Sequence, residues 1–127
     1  MTDLSKRALF LAPRVLSILF IAFLSMFALD VFGEGLGFWK TLVALAMHLI
    51  PSFVLICALI VAWRWEWVGA AVYAAAGTLY VVTLLPHRVP ALPIKLQWIS
   101  VIALPAFVIA ALFVANWLKR DQLRARA

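Results

Sequence analysis

Four long apolar runs dominate the 127-residue chain, from about Ala8 to Phe32, Phe38 to Trp63, Trp67 to Leu85 and Leu96 to Leu118. Each approaches or exceeds the roughly 20 residues that a helix needs to cross a bilayer core. Lipid offers the backbone no hydrogen bonds, so a crossing segment must be a helix or a strand of a closed barrel. Barrel strands alternate apolar and polar residues, and "VLSILFIAFLSMFAL" does not. The expectation is an all-α membrane protein: a bundle of four transmembrane helices, with residues 1–127 forming a single transmembrane domain. Composition agrees, because 68% hydrophobic and 13% charged residues leave too little polar surface to cover a soluble domain of this size.

Lys6 and Arg7 precede the first run as they would in a signal peptide. The run is too long for a signal core and no clear small-x-small site follows, so it reads as a retained helix. Cys57 is the only cysteine, which excludes an intramolecular disulfide and a dithiol redox cycle.

Basic residues set the orientation. With the N-terminus in the cytoplasm, the inner side holds Lys6, Arg7, Arg14, Arg64, Lys119, Arg120, Arg124 and Arg126, against Lys40, Arg88 and Lys95 outside. That asymmetry places both termini in the cytoplasm. The net charge of +6 therefore points to anionic lipid on the cytoplasmic side as a partner, and not to nucleic acid, for which there is no soluble basic domain. All six tryptophans fall at helix ends: Trp39 and Trp98 outside, Trp63, Trp65, Trp67 and Trp117 inside. Indoles favour the headgroup level, so "RWEW" reads as an interfacial turn between the second and third helices.

The two outer connections differ. "DVFGEGLGFW" is a glycine-rich helix stop, and "LPHRVPALPIK", with Pro86, Pro90 and Pro93, reads as an extended segment along the outer surface. Asp30 and Glu34 read as a solvated face, because two carboxylates are too few for a calcium site.

Polar residues within the runs are the candidate sites. Arg14, Ser17 and Ser25 share a face of the first helix by their spacing, and His48 and Ser52 share one on the second. Turned inward, these five form a candidate intramembrane polar site. His48 lies about 12 Å along the axis from Lys40, beside Pro51, whose missing N–H frees the Met47 carbonyl. A proton relay could use that arrangement, whereas an isolated histidine more often makes one hydrogen bond and nothing else. Arg14 and Glu66 fall at one depth, so they form a candidate structural ion pair, with Arg64 as an alternative partner for Glu66 and snorkelling to the headgroups as an alternative for Arg14. Ala70, Ala74 and Gly77 on the third helix and Ala106 and Ala110 on the fourth are helix-packing faces, within the chain or between copies.

"FALDVFGEGLGFWK", "HLIPSF" and "AWRWEWVG" together resemble a family of small prokaryotic four-helix integral membrane proteins known only as a domain of unknown function. The resemblance covers most of the first three helices and its Trp-Arg-Trp-Glu-Trp turn is fairly specific. It implies an all-α protein of the prokaryotic cytoplasmic membrane and carries over no activity, cofactor or site residue. Haem would need paired axial histidines, while His48 is single and His87 lies in a loop; no phosphate-binding glycine loop and no nucleophile beside a base is present. The expectation is a protein that is not an enzyme and holds no cofactor. It would be a helix-packing or accessory component, homo-oligomeric or bound to a larger membrane protein. The alternative is a small oligomeric transporter or channel with a polar path past His48.

Overall fold

The first helix, α1 (Asp3–Met26), begins before the apolar run because Thr2 caps it: Thr2 Oγ1 accepts from the Ser5 N–H at 3.2 Å, and Asp3 lies in the first turn. The computed structural model describes residues 2–124, so Arg126 of the basic end lies outside the described residues. The rest of the first run tightens into a 3₁₀ segment, Phe27–Gly33. The turn that follows needs glycine, because Gly35 and Gly37 take φ of 65° and 78°.

Helices α2 (Phe38–Ala62), α3 (Glu66–Leu84), α4 (Leu92–Leu118) and the short α5 (Arg120–Arg124) complete the chain. Asp3–Gly33, Phe38–Ala62, Glu66–Leu84 and Leu92–Leu118 are long and apolar enough to cross a membrane. Glu66 opens α3 instead of belonging to the turn before it, where the positive end of the helix dipole favours a carboxylate. Helix α4 starts earlier than the expected Leu96, because Pro93 fits the first turn, where its missing N–H costs nothing. The proline-rich segment is thus a short connection containing a cis Val89–Pro90 peptide, not an extended strand along the surface. Lys95, counted from the sequence among the cations of the outer side, is buried in the first turn of α4. Its Nζ donates to the Leu85 carbonyl at 3.0 Å and to that of His87, closing the C-terminal end of α3.

The core is built from Phe20 and Ile21 of α1, Leu55 and Leu59 of α2, Tyr73 of α3, and Ile109 and Phe113 of α4. Helices α3 and α4 form the most extensive pair. Gly69 is what lets them close: a Cβ there would lie 2.8 Å from both the Phe113 ring and Ala62 Cβ. Ala70, Ala106 and Ala110 are buried, and Ala74 packs partly buried against the same core. The small faces of α3 and α4 are therefore used within the chain. The buried residues of α2 all lie at or after Ser52; before it Thr41, Ala44, Leu45 and Leu49 are half-buried, the 3₁₀ segment also packs on this helix, and His48 is exposed.

Candidate functional site

Pro13 lies inside α1 and has no N–H, so the Leu9 carbonyl, four residues earlier, loses its helical donor. Asn116 of α4 supplies the replacement: its Nδ2 donates to Leu9 O at 2.7 Å and to Leu112 O at 3.0 Å. Its Oδ1 accepts from Arg14 Nη1 at 3.0 Å. One amide thus repairs the proline break in the first helix and holds the neighbouring arginine. Both side chains are fully buried.

Arg14 does not snorkel. Its guanidinium bends back over the preceding turn, the direction helical side chains favour, and Nη1 donates to Phe10 O. Nη2 donates to Trp63 O at 3.1 Å, and Glu66 Oε1 lies 3.5 Å away. Among the described residues Arg14 Nε is buried without an acceptor. The Phe10 ring covers that face, 3.7 Å from the guanidinium carbon, with Trp63 at 5.3 Å. Such rings attract a cation through their quadrupoles and offset part of the missing bond.

Glu66 is shared. Arg124 Nη2 donates to Glu66 Oε1 at 2.8 Å and also to the Arg64 carbonyl. Arg64 thus contributes its backbone to the cluster while its side chain is exposed. Residues from α1, the α2–α3 turn, α3, α4 and α5 are thus joined in one network, with Arg14 and Arg124 meeting at the Glu66 carboxylate. The whole constellation is an ionic lock that ties the N-terminal turns of α1 to the three later helices. Neither Asn116 nor Arg124 is among the candidate residues picked out from the sequence. "FVANWLKR" looks like a helix leaving the membrane, and no glycine announces the break at Lys119 that turns α5 back.

The other polar residues occupy separate places. Ser17 and Tyr73 share a hydrogen bond between α1 and α3, and Tyr73 lies between the Phe20 and Phe113 rings, with centroids 6.1 and 6.2 Å away. Ser25 Oγ donates to Ser52 Oγ at 2.9 Å, joining α1 to α2. His48 is exposed, and its Nδ1 is bonded to Ala44 O of its own helix at 2.8 Å. The five residues of the supposed polar site therefore form no single cluster; the apolar core separates Ser25 and Ser52 from Arg14.

Outside the lock, at the same end, lies a groove of about 620 Å³. Helix α1 contributes Lys6, Arg7, Phe10 and Leu11 to it, the α2–α3 turn Trp63 and Arg64, and α5 Leu123 and Arg124. Asp3 is its one acid.

Residues 1–124 match the family model of a domain of unknown function (DUF7670), and the chain belongs to that family. No curated protein and no solved structure matches the chain.

Proposed function

We propose that this DUF7670 protein is a non-enzymatic, multi-pass component of a prokaryotic cytoplasmic membrane with both termini inside, acting as an accessory or structural part of a membrane assembly. One observation carries this reading: the polar groups inside the bundle are spent on one another. Arg14, Asn116, Glu66 and Arg124 form one network, Ser17 and Tyr73 a second, Ser25 and Ser52 a third. None of the three sets a nucleophile beside a base, and each joins two or more helices, which supports a fastening role. The exposed Leu, Ile, Val and Phe side chains on the outer surfaces suit contact with lipid or with the helices of a partner. With the alanine faces of α3 and α4 occupied inside the chain, a partner would meet these outer surfaces instead.

The transporter reading has weaker support, because its path residues lie in separate pairs and His48 faces outward. Native mass spectrometry of the protein extracted from its own membrane in mild detergent tests the proposal. A homo-oligomer or a stoichiometric larger membrane protein in the same peak is expected. A lone monomer under conditions that keep other membrane complexes intact would contradict it.

A further inference from the structure

The groove beside the ionic lock has an order of chemistry along its length. On α1, Lys6 and Phe10 are four residues apart, as are Arg7 and Leu11, so each cation stands one helical turn, about 5.4 Å, above an apolar side chain on one face. Trp63 forms part of the wall, and an indole suits the boundary between headgroup and chain. Arg124 is committed to Glu66 and to the Arg64 carbonyl. Among the described residues, the side chains of Lys6, Arg7 and Arg64 make no hydrogen bond or ion pair of their own. Three cations thus face the opening against one acid, Asp3, which has other interactions.

From this arrangement we propose that the groove is a binding site for one anionic phospholipid, with its phosphate among Lys6, Arg7 and Arg64 and the start of an acyl chain on Phe10 and Leu11. A volume of about 620 Å³ accommodates a headgroup and glycerol. The apolar floor one turn below the charges selects a lipid over a free phosphate, which would leave Phe10, Leu11 and Leu123 uncovered. The bound lipid would also bridge α1, the α2–α3 turn and α5, the elements that the ionic lock already brings together.

The proposal rests on the membrane reading above, and the test separates the two. The full chain in mild detergent is titrated with dioleoyl phosphatidylglycerol or dioleoyl phosphatidylcholine, and bound lipid is counted by native mass spectrometry. The expected result is one retained phosphatidylglycerol per chain, preferred on the order of tenfold over phosphatidylcholine, because two or three cations each favour an anionic headgroup. The variant K6Q/R7Q should lose that preference while melting at the wild-type temperature in detergent without added lipid; R64Q should weaken it. Equal binding of the two lipids would overturn the site and leave the membrane reading standing. So would a preference unchanged in K6Q/R7Q. Displacement of phosphatidylglycerol by inorganic phosphate would also overturn it, since a small-anion site would then explain the charges. A chain that stays in solution without detergent and takes up neither lipid would overturn the membrane reading itself.

Discussion

Asn116 Nδ2 lies 2.7 Å from the carbonyl oxygen of Leu9, a residue near the other end of the chain. The carbonyl needs that donor because Pro13 cannot provide one. The bundle is therefore closed by a hydrogen bond that exists to repair a break in its first helix.

Replacing Asn116 by leucine removes the donor to Leu9 and the acceptor for Arg14 together. Each buried polar group left unpaired costs about 1–3 kcal/mol. Asn116→Leu should lower the melting temperature in detergent markedly, and its far-ultraviolet circular dichroism before melting should stay helical. An unchanged melting curve would mean that the amide is not holding α1 to α4.

The two helical glycines should differ. At Gly69 an added Cβ meets the Phe113 ring and Ala62, both fully buried, at 2.8 Å. At Gly77 it meets only the Phe107 ring at 3.0 Å, and Phe107 is 37% exposed and can swing outward. Overpacking costs about 1–3 kcal/mol where neighbours cannot move. Gly69→Ala should therefore melt well below Gly77→Ala in the same detergent, and the reverse order would refute the packing described here.

His48 is exposed and bonds to its own helix. Substitutions at such places usually change stability by no more than about 0.5 kcal/mol. His48→Asn and His48→Gln should melt as the wild type does. A clear loss in either would show that the histidine has a partner across the bundle or in another copy.

Much of the helical framework is legible in the sequence because lipid leaves a crossing chain few options. The Arg14–Glu66 proximity is legible from depth alone, since the "AWRWEWVG" turn and Arg14, about three turns into α1, fall at one level. Depth does not give rotation, however. The spacing that groups Ser17, Ser25, His48 and Ser52 fixes faces of single helices, not which helix each face meets, so Tyr73 as the partner of Ser17 stays hidden. His48 shares the face of Ser52 by spacing, yet it is exposed and bonded to its own helix while Ser52 is buried. For Asn116 a signal does exist. A proline inside an apolar helix leaves a carbonyl that wants a donor, and Asn116 is a polar residue at the same end of the last span. Arg124 carries no such mark, because its role depends on the chain turning back after Lys119.

The central claim is that the buried charges fasten the helices to one another. Thermal unfolding of Arg14→Met, Glu66→Leu and the double variant in one detergent tests it most directly. Removing one partner of a buried pair costs about 3–5 kcal/mol, whereas replacing both by apolar residues is often close to neutral. The account predicts two destabilised single variants and a double variant that loses less than the sum of the two, because each single change strands the other member of the pair. A double variant that melts at the sum of the two losses, or single variants indistinguishable from the wild type, would contradict it.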